Sequence, residues 1–212
     1  MKKRMNRSRR FLGISVLIVV FAMLFVSCGS IEIETGFLEP LTTREIIDNE
    51  LQALSNPFTF IDFEGVSAGQ KAVGYMFTEA LTEIHVSPFK WSNGTTTNGG
   101  YTEVSNANMA DRVGQEMFAN NVRLNFKFPG AQNKVIFFYG EYGGNINLLI
   151  NGTLVNPENM IALHGTYVGG VEVLVINNSV PGGVTGVVLL RGVINELQIG
   201  GQEFFIDHLG YK

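Results

Sequence analysis

The feature that most constrains this chain is a hydrophobic period of two, interrupted by glycine-rich breaks. Val122, Leu124, Phe126 and Phe128 alternate with Arg123, Asn125 and Lys127. On a strand, that spacing sends the apolar set to one face and the polar set to the other. Comparable stretches lie at 58–63, 82–87, 134–139, 146–150, 171–177, 185–191, 194–199 and 203–209. Between and beside them stand Asn93-Gly94, Asn98-Gly99-Gly100, Pro129-Gly130, Gly143-Gly144-Asn145, Asn151-Gly152, Pro181-Gly182-Gly183 and Gly200-Gly201. Such dipeptides mark turns because they tolerate positive φ or fix it near −65°. Ile150-Asn151-Gly152-Thr153 predicts a type I′ hairpin, whose two central residues both need positive φ. About nine or ten short strands with little helix predict an all-β domain, a β-sandwich, with an up-and-down barrel as the alternative. No internal repeat points to a propeller or solenoid.

The first residues read as a targeting segment. Lys2, Lys3, Arg4, Arg7, Arg9 and Arg10 precede an apolar run at 11–26, and Ser27-Cys28-Gly29 follows it. A basic start, an apolar centre and small residues at the end describe a secretory signal peptide. The run is shorter than the roughly 20 residues of a spanning helix. Leu24-Phe25-Val26-Ser27-Cys28 resembles a bacterial lipobox, with Phe25 and Val26 departing from the commonest residues there. That resemblance implies that Cys28, the only cysteine, is lipidated and becomes the first residue of the mature chain. The protein is then expected in the bacterial cell envelope, extracytoplasmic and held to a membrane by its lipid.

Charge narrows the partners. The whole chain has 15 basic and 19 acidic residues; from Cys28 onward nine basic residues remain against all 19 acidic ones. An acidic surface disfavours nucleic acid, which needs clustered Lys and Arg. One cysteine excludes an internal disulfide framework. His85, His164 and His208 share no metal-ligand spacing.

Residues 1–27 are thus expected as signal peptide, 28–57 as a tether and 58–212 as the β-sandwich. Within the tether, Thr42-Thr43-Arg44-Glu45 has capping-box spacing, and Ile47, Leu51 and Leu54 follow on one helical face. A short helix ending near Ser55 is expected to pack on the outside of the domain.

The two ends of the domain carry a further likeness. Ile61-Asp62-Phe63-Glu64-Gly65-Val66-Ser67-Ala68-Gly69-Gln70 and Ile206-Asp207-His208-Leu209 are similar to the opening and closing strands of galactose-binding-like jelly rolls, which include carbohydrate-binding modules. The resemblance implies a jelly-roll β-sandwich. It also implies that acidic residues of the first and last strands hold a structural calcium, here Asp62, Glu64 and Asp207. Calcium takes six to eight oxygen ligands, and an Asp within Phe204-Phe205-Ile206-Asp207-His208-Leu209 is costly to bury unpaired. The alternative is that Asp207 accepts hydrogen bonds from loop amides.

Sugar recognition needs a flat apolar platform with amides and hydroxyls beside it. Trp91-Ser92-Asn93-Gly94-Thr95-Thr96-Thr97-Asn98-Gly99-Gly100-Tyr101 supplies both, unless Trp91 packs down on the core. Tyr139-Gly140-Glu141-Tyr142-Gly143-Gly144-Asn145 is a second aromatic and polar segment, expected as a turn. The candidate ligand-binding residues are therefore Trp91, Asn93, Asn98, Tyr101, Tyr142 and Asn145. No nucleophile elbow, phosphate loop or zinc-protease motif occurs. The expected function is a non-catalytic, membrane-anchored binding module, most readily for a glycan. The alternative is a structural envelope lipoprotein that docks another protein through a sheet face or edge.

Overall fold

The computed structural model describes residues 41–53, 57–97 and 99–212. Cys28 with the whole targeting segment, Leu54 and Ser55 of the expected helix, and Asn98 lie outside the described residues. The described residues fall in a compact unit, Leu41–Lys212.

Helix α1 (Thr43–Gln52) opens that unit. Thr42 caps it, its hydroxyl accepting from the Glu45 amide while the Glu45 carboxylate accepts from the Thr42 amide at 2.7 Å. Thirteen strands follow among the described residues. They are β1 (Thr59–Ile61), β2 (Gly69–Ala72), β3 (Met76–Glu79), β4 (Thr82–Pro88), β5 (Tyr101–Ser105), β6 (Glu116–Asn120) and β7 (Val122–Lys127). The second half of the chain gives β8 (Gln132–Ile150), β9 (Thr153–Val155), β10 (Thr166–Val168), β11 (Val171–Val180), β12 (Gly183–Ile194) and β13 (Leu197–Tyr211). All pairings are antiparallel and belong to one sheet.

The fold is the expected all-β sandwich, made by bending this one sheet. The first half of β8 pairs with β12 and with the end of β13, from Phe204↔Glu141 to Tyr211↔Val135. Its second half pairs with β9 and with the start of β13, from Leu197↔Ile150 to Gly201↔Ile146. One layer therefore runs β10-β11-β12-β8-β13-β6-β5-β2, with β1 also on β13. The other runs β9-β8-β13-β7-β4-β3. Inward side chains of both layers, among them Ile84, Leu124 and Phe126 with Phe137, Tyr139 and Ile206, merge in one buried core.

The bend explains a difference from the sequence expectation. Gly143-Gly144 and Gly200-Gly201 are not turns between strands; they lie within β8 and β13, where the register shifts. Stretches 134–139 and 146–150 are one strand, and 203–209 continues from 197–199. A Cβ on Gly200 would stand 2.2 Å from the Val122 carbonyl oxygen, and one on Gly201 2.6 Å from the Phe204 Cβ. Glycine there lets two backbones close on each other. The Asn151-Gly152 hairpin does form as expected, with φ of 48° and 80°.

Helix α1 covers the outer side of the first layer. Fully buried Ile47 joins Ile136, Phe138, Leu174, Val187 and Leu189 in a second apolar cluster. Glu50 pins the helix by ion pairs to Lys134 and, at 3.1 Å, to Lys212.

If close backbone approach makes the bend, Gly200→Ala should destabilise the domain by about 1–3 kcal/mol or more through overpacking. Gly65→Ala is the control, since a Cβ there meets nothing within 4 Å. It should be neutral or stabilising by up to ~1 kcal/mol. Urea unfolding measures both, and equal effects would contradict the role given to Gly200.

Candidate functional site

An aromatic band crosses the outer side of the first layer. The register places Glu103 of β5, Phe118 of β6, Phe205 of β13 and Gly140 of β8 side by side. Phe118 and Phe205 stack with centroids 4.5 Å apart. Tyr101 meets Phe118 edge-on at 6.2 Å, and Tyr142 meets Phe205 edge-on at 5.6 Å. All four rings are half-buried. On β13 the neighbours Phe204 and Ile206 point inward to the core, so strand alternation alone brings Phe205 out.

Tyr142 is held by what is missing beneath it. A Cβ on Gly183 would lie 2.5 Å from its ring, and one on Gly140 would lie 3.0 Å from it. Its hydroxyl donates to the Met109 carbonyl at 3.1 Å, fixing the ring against residues 106–115. Polar groups edge the band: Gln70 donates to Glu103 at 3.5 Å, and Glu203 is exposed.

The structure brings together Tyr101 and Tyr142 of the expected ligand-binding residues and adds Phe118 and Phe205. Trp91 stands apart from this contact chain, half-buried and edge-on to the buried Phe89 at 4.9 Å. Its loop is tied to the sheet, since fully buried Asn147 accepts from the Lys90 amide and donates to the Lys90 carbonyl. Asn93 is spent within its own turn, accepting from the Thr95 amide at 2.9 Å and hydroxyl at 2.7 Å. Asn145 donates from its side chain to the Asn156 carbonyl at 3.4 Å. The segment 139–145 is strand rather than turn, with Tyr139 fully buried against Phe204. Phe118 and Phe205 look like core residues in the sequence, and only the pairing register shows which way they face.

Acidic residues gather near the meeting of the first and last strands, where Asp62 and Glu116 both lie close to Asp207. Strand β1 stops at Ile61, and Phe63 takes a φ of 62° that sends its ring into the core. Asp62 and Glu64 therefore do not share a strand face. The Glu64 carboxylate accepts from the Gln115 amide at 2.7 Å, while Asp62 accepts from the Glu64 amide at 3.2 Å. Asp62 faces Glu79 of β3. Burial, and then the Asp62 carboxyl against it, push Glu79 up to about 7.

Asp207 is fully buried. Its Oδ1 accepts from the His208 amide at 2.6 Å and faces the His208 Nδ1 at 2.9 Å. Its Oδ2 has no hydrogen-bond partner. Burial raises its pKa, opposed by His208 and assisted by Asp62. Buried Glu116 beside it accepts from the Met109 and Ala110 amides at 2.9 and 2.8 Å; burial nonetheless raises its pKa. Phe63, Ala80, Leu81 and His208, four residues in or next to this set, have positive φ. Such backbone strain needs the surroundings to hold it. Among the described residues no three His, Cys, Asp or Glu side chains are grouped to hold a metal ion.

The Asp62–Glu79 contact has a pH signature. The ordinary value for Glu79 is 4.5 and the folded value about 7. Below the ordinary value both folded and unfolded chains hold the proton, and the stabilising contribution is complete. Between the two values only the folded chain holds it, so stability falls as pH rises and levels off above about 7. Glu79→Gln should remove this component of the fall. Urea midpoints of both proteins from pH 4.5 to 8 test it, and parallel curves would contradict the raised value at Glu79.

No protein-family model, curated protein sequence or solved structure matches this chain.

Proposed function

We propose that this protein is a non-catalytic binding module that takes a glycan on the outer side of its first layer, held at the bacterial envelope by a lipid on Cys28. The observation that carries the reading is the band Tyr101–Phe118–Phe205–Tyr142. Aromatic rings fixed by their strands lose little entropy on binding and offer apolar faces to sugar C–H groups. Gln70, Glu103 and Glu203 stand at its edges to bond ring hydroxyls. Protein docking is the second reading. It is favoured by apolar side chains exposed along and beside edge strand β3, with Met76 59% and Leu81 81% exposed.

Glycan-array binding by the detergent-solubilised full chain, followed by titration of the best ligand, separates the two. Phe205→Ala should weaken binding by about tenfold or more, the loss of a contact worth roughly 1.5 kcal/mol. Trp91→Ala should leave affinity within about twofold, because Trp91 is outside the band. A wild-type protein that binds no glycan, or a Phe205→Ala protein that binds undiminished with an unchanged melting temperature, would overturn the reading.

A further inference from the structure

A groove of about 280 Å³ opens between helix α1, residues 111–112 and the outer side of β8, β11 and β12. Its floor is apolar, made by Phe138, Ile176 and Val187 with Ile47 from the helix. Its two walls each carry one charge of either sign. The helix contributes Arg44 and Asp48, and the facing loop contributes Asp111 and Arg112. Arg44 and Asp48 have the i, i+4 spacing that ordinarily allows an ion pair on a helix. Among the described residues, none of the four is in an ion pair within 4 Å. Arg112 is fixed all the same: its guanidinium carbon lies 3.5 Å above the centre of the Phe138 ring. Its Nε is buried and bonds to nothing. A guanidinium held in place, with no ion pair to its terminal nitrogens among the described residues, beside an apolar floor and opposite a carboxylate, is a set of recognition groups without its complement.

We propose that this groove binds a free α-amino acid with an apolar side chain. The ligand carboxylate meets Arg112, with Arg44 at the rim. The ligand ammonium meets Asp48 or Asp111, and the side chain lies on Ile176 and Val187. The volume lies just under the roughly 300–1,000 Å³ of drug-sized pockets, which suits a single amino acid rather than a peptide. Paired charges of both signs on the walls select a zwitterion over a simple anion, because either singly charged analogue leaves one sign unanswered. The groove shares no lining residue with the aromatic band, although the segment that holds Tyr142 through Met109 also carries Asp111 and Arg112.

The test is titration of the detergent-solubilised full chain with L-leucine and L-phenylalanine, alongside N-acetyl-L-leucine and L-leucinamide. Isoleucine and valine methyl NMR shifts of Ile47, Ile176 and Val187 give the readout. The zwitterions should move these methyls saturably. The two analogues, each lacking one charge, should bind about ten- to a hundredfold more weakly, as expected for loss of a charged hydrogen bond. Arg112→Gln, and Asp48→Asn combined with Asp111→Asn, should each weaken leucine binding by about the same ten- to hundredfold while retaining the dispersed methyl spectrum of a folded protein. Absence of saturable shifts with both amino acids, equal binding of the analogues, or unchanged binding by folded Arg112→Gln protein would overturn the proposal.

Discussion

The structure depends on two strands that each belong to both layers. Because β8 and β13 pair with each other on either side of the bend, the register of the first layer is tied to that of the second. A slip by one residue in β13 would turn Phe204 and Ile206 outward and Phe205 inward, exchanging core for surface. The core and the aromatic band therefore rest on the same hydrogen-bonded ladder. The glycines at the bend serve this ladder by closeness: Gly200 sits against the Val122 backbone, where any side chain would force the strands apart.

The polar interior follows a similar logic. Asp207, Glu116 and Asn147 are fully buried, and each makes hydrogen bonds to backbone groups that the ladders leave over. Glu116 holds residues 109–110 against the sheet, and Met109 in turn anchors Tyr142. The buried acid and the half-buried aromatic thus belong to one mechanical unit. Asp62 faces Glu79 across the first strands, and Tyr211 from the last strand donates to the adjacent Ala80 carbonyl. Burial dominates at Glu79, Asp207 and Glu116, raising all three. Their contacts fix position; the price is a carboxyl group that resists ionisation.

Much of the fold was legible in the sequence where one local signal decides the outcome. The alternation at 122–127 is β7, Asn151-Gly152 is a hairpin, and Thr42 with Glu45 caps the helix. Glycine pairs were legible only in part. Gly143-Gly144 and Gly200-Gly201 look like turns because glycine permits positive φ, yet glycine also permits close approach, and the neighbouring strand decides which use applies. The first strand is shorter than the expected 58–63, because the chain turns at the positive φ of Phe63, between Asp62 and Glu64. Glu79, far from Asp62 in the chain, gave no sequence sign of the contact. Tyr101 and Tyr142 were visible as polar-tipped aromatics. Phe118 and Phe205 were hidden, since an apolar residue that faces outward looks like one that faces inward.

Residue-resolved amide hydrogen exchange on the full chain tests most directly whether one bent ladder holds both layers. Amides at 134–139 and 146–150 in β8, and those they pair with in β13, should fall in a single slowest class that opens only with global unfolding. Exchange of 146–150 and 197–201 through a separate, lower-energy opening, with 134–139 still protected, would show two independently stable sheets and contradict the account.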